Sequence, residues 1–177
     1  DANAIRRYAG LSVDRTTLRP DFIADVVYAG DLRGNMWKFD LSATTASAWS
    51  VANAGSPVFV ATSPGSGGAR QAITAAPQAV RHPLGGVMLL FGTGRFFAVG
   101  DNLVAATGEQ VHSFYGVRDL GTASYTRANL AVQTISEVFT SGSQTIRRIS
   151  DNTIDWNNQA GFVLDLPSPP AIAGERV

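Results

Sequence analysis

"VVYAGDLRGNMWKFDLS" spans residues 26–42 and joins two alternating apolar runs through a short polar turn. Successive side chains of a β-strand point to opposite faces, so this alternation predicts two strands. Asp31 takes the first turn position, where its carboxylate can accept backbone N–H bonds from two residues further on, and Gly34 suits a positive φ. The stretch therefore predicts a β-hairpin, and turn chemistry accounts for Asp31 and Gly34 without a ligand.

The second arm and the tip of this hairpin carry side chains that the turn does not explain. Trp37, Phe39 and Leu41 share one apolar face, which is predicted to pack against a neighbouring sheet. Arg33 and Asn35 lie at the tip and are free to contact a partner. These two are the candidate partner-binding residues.

The rest of the chain consists of short β-branched or aromatic runs between Gly- and Pro-containing turns. The predicted strands occupy residues 23–28, 36–41, 58–61, 71–80, 87–91, 111–117, 131–138, 144–149 and 161–166. The scheme of the first hairpin returns in "VMLLFGTGRFF", residues 87–97, and "SFYGVRDL", residues 113–120. Related strands at such wide spacing indicate blades. The sequence predicts an all-β fold, a partial β-propeller of about three blades of antiparallel hairpins, with an irregular β-sandwich as the alternative.

Composition narrows the classes of function. The 14 basic and 14 acidic residues of the 177-residue chain cancel, so no global field attracts nucleic acid or an anionic membrane. The absence of cysteine excludes disulfides, cysteine-bound zinc and thiol catalysis. No apolar run approaches the ~20 residues of a membrane-spanning helix.

Motifs for catalysis or phosphate binding are absent from the sequence. His82 and His112 are 30 positions apart, without metal-ligand spacing, and there is no G-x-S-x-G motif. Arg70 follows a Gly-rich run, residues 63–69, and "GTGR" occupies 92–95, but neither has the spacing of a phosphate-binding loop. Both segments are predicted to be connections between strands, no catalytic residue is assigned, and the protein is not expected to be an enzyme.

The region before the hairpin has a rhythm of acidic residues. Asp21 and Asp25 are spaced as alternating oxygen donors of a calcium loop would be, and they are the candidate metal ligands. Counting back in twos from Asp25 reaches Arg19, which places a cation where a donor belongs.

Five segments occur in the order that one known family shows: "YAGDLRGNMWKFDLS", "ITAAPQAV", "LLFGTGRFF", "SFYGVRD" and "GFVLDLPSPPAIAGERV". Together they resemble the C-terminal β-propeller of the PilY/PilC type IV pilus biogenesis proteins. On this resemblance, residues 1–24 are a lead-in segment with a degenerate acidic loop, and residues 25–177 are a partial β-propeller fragment of a longer protein.

The resemblance implies an extracytoplasmic protein at the cell outer surface or the pilus tip, or associated with the outer membrane. It implies a role in pilus assembly, in opposing retraction and in adhesion at the tip. The implied partners are pilins or minor pilins and host or surface receptors, with no nucleic acid and no membrane span. A partial propeller also exposes sheet edges, so self-association through edge strands is expected.

Several members of this family carry a calcium loop directly before the Tyr-Ala-Gly-Asp strand. Its ligand positions fall on Thr17, Arg19, Asp21, the Ile23 carbonyl and Asp25. The first two depart from the family pattern and Phe22 replaces a glycine. No cofactor is therefore expected, and calcium at Asp21 and Asp25 is the one candidate.

Two other functions fit the same repeat. The stretch at 26–41 also resembles the repeat of pyrroloquinoline-quinone dehydrogenases, which implies a quinoprotein-like enzyme, although no quinone site or catalytic Asp is located in the chain. An outer-membrane assembly scaffold with quinoprotein-like repeats is the third alternative.

Overall fold

The computed structural model describes residues 2–8, 24–65, 67–96, 98–103, 110–121, 123–142, 144–166 and 177. Within these ranges the chain forms thirteen β-strands and three single-turn 3₁₀ helices. The strands are β1 (Ala2–Tyr8), β2 (Val26–Asp31), β3 (Asn35–Asp40), β4 (Ser50–Val51), β5 (Phe59–Val60), β6 (Gln78–Arg81), β7 (Val87–Gly92), β8 (Ser113–Asp119), β9 (Tyr125–Thr126), β10 (Ala131–Gln133), β11 (Ile135–Ser141), β12 (Gln144–Ile149) and β13 (Gly161–Asp165). The 3₁₀ helices are Ala46–Ala48, Asn53–Gly55 and Arg127–Asn129. The prediction of an all-β chain is confirmed.

The described strands form two larger sheets and one separate hairpin. The first sheet has the order β1-β2-β3-β5-β9, with β4 paired to β3, and the second has the order β10-β13-β8-β7-β6. Among the strands that the structure describes, β11 and β12 pair only with each other. The chain leaves the second sheet after β8, adds β9 to the first sheet, and returns to add β10 to the second. This exchange interlocks the two sheets.

Most pairs among the described strands are antiparallel, as the hairpin pattern predicts, but two of these pairs are parallel. Strand β5 runs parallel to β9, and β10 runs parallel to β13. A parallel pair needs a long connection between its strands. Hairpin signals in the sequence report only neighbours along the chain, so they could not indicate these pairs.

The predicted strand at residues 71–80 is shorter in the structure, where only residues 78–81 form β6. The preceding residues bond singly to separate segments: Gln71 N–H donates to Ala61 O at 3.1 Å and Ile73 N–H donates to Asp31 O at 2.9 Å. These bonds cross between elements and form no ladder. The alternating pattern of residues 71–77 therefore reflects burial without strand pairing.

The core lies between the two sheets. An aromatic cluster joins them: Phe59 of β5 lies 5.0 Å from Tyr115 of β8 and 5.8 Å from Phe91 of β7 between ring centroids. Phe59 and Tyr115 are fully buried. Such pairs add to the free energy that area burial alone contributes.

The buried face of β3 is opposite to the one that was predicted. Met36 is fully buried against the second sheet, whereas Trp37, Phe39 and Leu41 are only partly buried. Lys38 shares the face of Met36, and its Nζ lies 2.8 Å from the Asp119 carboxylate of the second sheet. Because Asp119 neutralises this cation, the mixed face can be buried, and the packing prediction for the apolar face was wrong.

Residues 2–8 belong to the first sheet as its edge strand β1, paired antiparallel with β2. The sequence assigned these residues to a lead-in segment ahead of the propeller region. The strand shows that part of this segment extends the sheet, whereas residues 9–23 lie outside the described residues. The division at residue 25 stays a prediction.

Candidate functional site

The tip of the β2–β3 hairpin is organised around one carboxylate, that of Asp31. Its Oδ1 accepts the backbone N–H groups of Arg33 at 2.8 Å and Asn35 at 2.9 Å. Its Oδ2 accepts the Asn35 side-chain amide at 2.8 Å and the Trp37 indole N–H at 2.9 Å. The bond from Arg33 is the one that the turn pattern predicts. The bonds from the two side chains were not predicted.

Four donors to one buried carboxylate fix its ionisation. Burial alone would raise the pKa of Asp31, but the hydrogen bonds from Asn35, from Trp37 and from the two backbone N–H groups together hold this pKa below its usual value. Asp31 is thus an anion at neutral pH, and its neighbours are locked by charge-assisted hydrogen bonds.

The two candidate partner-binding residues have different surroundings. Arg33 is exposed at the turn, and no described group accepts a hydrogen bond from its side chain. Asn35 is half-buried, with its amide on Asp31 and its Oδ1 accepting a hydrogen bond from Arg70 Nη1 at 2.7 Å. Asn35 therefore orients Arg70, and partner contact by Arg33 and Asn35 stays a prediction.

Next to this tip lies a polar cleft of about 280 Å³. We call it the tip cleft, and its lining residues are Leu32, Arg70, Ala72, Arg95, Asp101, Gln110 and His112. They come from the β2–β3 turn, from the segment after residue 69 and from the connection between β7 and β8. Arg70 and Arg95 belong to two connections that are far apart in the sequence, and the fold places them in one cleft.

A second cleft of about 400 Å³ opens between the two sheets, and we call it the inter-sheet cleft. Asp119 is its central acid: Oδ2 accepts hydrogen bonds from Tyr28 at 2.7 Å and Lys38 at 2.8 Å, and Oδ1 accepts the Gly121 N–H at 2.7 Å. Asp25 and Arg81 also line the cleft. The ion pair of Lys38 and Asp119 connects the first sheet to the second.

The predicted calcium ligands are only partly visible. Asp21 lies outside the described residues, as do the other expected donors before residue 24. Asp25 lines the inter-sheet cleft, and its backbone oxygen accepts the Leu41 N–H at 2.7 Å. Within the described part of the chain, no three or more His, Cys, Asp or Glu side chains are grouped to hold a metal ion. Calcium binding stays a prediction for the segment that Asp25 ends.

A buried polar network also connects two strands of the second sheet, β8 and β13, with the segments beside them, and no local pattern in the sequence indicates it. Arg127 pairs with Asp165, whose other oxygen accepts the Ser113 hydroxyl at 2.7 Å. Gln71, fully buried, donates to Ser113 Oγ at 3.0 Å and accepts the Tyr115 hydroxyl at 2.6 Å. Burial, as the largest cause, raises the pKa of Tyr115. These groups satisfy one another and stabilise the scaffold.

His82 closes the turn between β6 and β7. Its Nδ1 accepts the Leu84 N–H at 3.1 Å, and its ring lies 4.4 Å from that of Trp156 between centroids. Burial, and then the positive charge of Arg118, lower the pKa of His82 from its usual value of 6.5. Arg118 itself lies 5.9 Å from the centre of the Trp156 ring.

We expect His82 to make stability depend on pH. Because the folded state disfavours the protonated ring, the unfolded chain binds more protons, and the contribution of His82 is present above pH 6.5 and is lost as the pH falls toward the lowered pKa. The free energy of unfolding should fall by at most about 1.4 kcal/mol per pH unit from this one group. Denaturant titrations between about pH 7.5 and 5.5 measure the slope.

The matched variant is His82→Asn, whose side-chain oxygen can still accept the Leu84 N–H but does not titrate. The slope should shrink in this variant. An unchanged slope would assign the pH dependence to other groups.

No helix in the described ranges is long and apolar enough to cross a bilayer. The molecule is a β scaffold in which Asp119 of the second sheet bonds Tyr28 and Lys38 of the first. The connections between its strands line the tip cleft and expose side chains to solvent. A family model described as the PilY1 beta-propeller domain matches residues 8–151. The fold and this match define a β-propeller protein.

Similar proteins from two organisms are PilY1 proteins of type IV pilus biogenesis. The type IV pilus biogenesis factor PilY1 of Pseudomonas aeruginosa is 36% identical over 192 residues, covering 89% of this chain and 16% of that protein. A PilY1 homologue of Xylella fastidiosa is 33% identical over 152 residues, covering 82% of this chain and 10% of the relative. The chain belongs to the PilY1 β-propeller family, as its sequence motifs indicated.

A solved structure agrees with these matches. The crystal structure of the Pseudomonas aeruginosa PilY1 C-terminal domain superposes with a TM-score of 0.79 at 33% identity, covering 98% of this chain and 40% of that one. The partial β-propeller prediction is confirmed. The chain spans 16% of the length of the Pseudomonas relative and 10% of the Xylella one.

Proposed function

We propose that this protein acts in type IV pilus biogenesis as a non-catalytic module that supports assembly, opposes retraction and binds surfaces at the pilus tip. The observation that carries the proposal is the 36% identity to a type IV pilus biogenesis factor across 89% of the chain. Fold alone does not define function, but identity at this level along most of the chain supports a shared system.

The scaffold supports a binding role. The interlocked sheets hold a rigid core, while large apolar side chains are exposed on the connections: Leu84 is 61% exposed, Phe96 71% and Leu103 67%. Binding residues are frequently found on loops that a rigid scaffold positions. The proposed partners are pilins or minor pilins and host or surface receptors, at the outer surface or the pilus tip. The edge strands β1 and β6 are further candidates for self-association.

Deletion of the gene in a piliated host that carries the protein tests the proposal. We expect surface pili and twitching motility to be lost and to return with the wild-type gene. Removing the retraction motor as well separates the roles: pili that return show that the protein opposes retraction, and pili that stay absent show that it supports assembly.

If the doubly deleted strain is piliated, its attachment to surfaces tests the adhesion role. We expect this strain to attach poorly even though it has pili. Normal pili and twitching in the single deletion would contradict the proposal. Dye reduction by the purified protein with pyrroloquinoline quinone and calcium would contradict the non-catalytic part and favour the dehydrogenase alternative.

A further inference from the structure

We propose that the tip cleft binds a small ligand through its carboxylate, of the size and chemistry of an acidic monosaccharide. The proposal does not depend on the pilus role, because it rests on the side chains of this cleft alone. Its volume of about 280 Å³ lies just below the ~300–1,000 Å³ of pockets for drug-sized ligands. A ligand of one sugar ring matches that space.

The charge of the cleft favours a single negative charge. Arg70 and Arg95 line it together with one acid, Asp101, so the charges on these three side chains sum to +1. A carboxylate neutralises this sum. A doubly charged phosphate would leave an excess negative charge beside Asp101.

Arg70 is held in place before any ligand arrives. Its Nη1 donates to Asn35 Oδ1 at 2.7 Å, and Asn35 is itself bound to the ionised Asp31 at 2.8 Å. The backbone oxygen of Arg70 accepts the Gln110 side-chain amide at 3.1 Å. These bonds use one of the five N–H donors of the guanidinium at close range and leave others for a ligand. Such preorganisation lowers the entropic cost of binding.

Arg95 is fixed from the other side of the cleft. Its Nε donates to Asp101 Oδ1 at 2.9 Å, and Asp101 Oδ2 accepts the Ala98 N–H at 2.8 Å. The terminal nitrogens of Arg95 have no other acceptor within the part of the chain that the structure describes, and its side chain is 54% exposed. The planar fork of a guanidinium matches the two oxygens of a carboxylate. The two arginines together can hold a carboxylate.

Calorimetric or NMR titration of the purified protein with glucuronate tests the proposal, with glucose as the matched neutral sugar. We expect saturable glucuronate binding, no glucose binding, and weaker binding at higher salt because charges are screened. Equal binding of glucose, or no binding of glucuronate, would overturn the assignment. Tighter binding of inorganic phosphate than of glucuronate would also overturn it.

Variants identify the residues. Arg70→Gln and Arg95→Gln should each weaken glucuronate binding about tenfold or more, and Arg70→Lys should fall between wild type and Arg70→Gln because it keeps the charge without the fork. Arg33→Gln is the matched control, since Arg33 is exposed at the same turn but does not line the cleft. Loss of binding in Arg33→Gln, or full binding in Arg95→Gln, would contradict the proposal. Circular dichroism confirms that each variant is folded.

Discussion

Replacing Gly34 by alanine should lower the free energy of unfolding by about 4 kcal/mol or more, among the largest effects expected of a single methyl group. Gly34 has a φ of +77°, and a Cβ there would lie 2.6 Å from Gln71 O and 2.8 Å from Ala61 O. Both obstacles are backbone atoms, which cannot rotate away as a side chain can. The hairpin tip and the segments beside it would have to separate. Denaturant titration followed by tryptophan fluorescence measures the loss.

Gly55→Ala is the matched control for this prediction. Gly55 has a φ of +80°, nearly that of Gly34, but a Cβ there would meet no atom within 4 Å. Its loss should be only the cost of a left-handed conformation, about 1–2 kcal/mol. If the two variants lose equal stability, the close approach at Gly34 contributes nothing and the prediction is wrong.

Replacing Phe59 by alanine should cost about 3–5 kcal/mol, as truncation of a buried aromatic side chain generally does. Phe59 is fully buried, and its ring lies 5.0 Å from Tyr115 and 5.8 Å from Phe91 between centroids. Because it belongs to the first sheet and the other two rings to the second, the cavity would lie where the sheets meet. The unfolding midpoint should shift strongly toward lower denaturant.

Phe96→Ala removes the same side chain from a position that is 71% exposed, and it should change stability by less than about 0.5 kcal/mol. A comparable loss in both variants would mean that Phe59 does not join the sheets. A lower m-value in Phe59→Ala alone would indicate that the sheets no longer unfold as one unit.

The hairpins could be predicted because their signals are local. The bond from the Arg33 N–H to Asp31 Oδ1 spans two residues, and the positive φ of Gly34 follows from the turn itself. Alternation likewise predicted β3, β7 and β12 to within one residue at each end. The same signals could not indicate the parallel pairs β5–β9 and β10–β13, which depend on how the sheets are arranged.

The family motifs in the sequence indicated the class of protein, and the matches to PilY1 agree with this prediction. The contacts of the candidate site could be predicted less well from the sequence. Asn35 looked free for a partner, because nothing near it in the chain indicates that Arg70, 35 residues away, donates to its side chain. Arg70 and Arg95 each looked like a loop residue, because neither segment alone has the spacing of an anion-binding motif.

By itself, the sequence determined the all-β class, the β2–β3 turn and the family, because strand alternation, turn chemistry and ordered motifs are all written in consecutive residues. Only the tertiary structure decided which face of β3 is buried and which charges meet. Lys38 can enter the core because Asp119, 81 positions away, neutralises its charge. Asp31 helps to order the tip cleft because it binds the Asn35 side chain, which in turn accepts a hydrogen bond from Arg70. The physical reason is that burial of a polar side chain depends on its partner, and the partner is supplied by the packing of sheets that are distant in the chain.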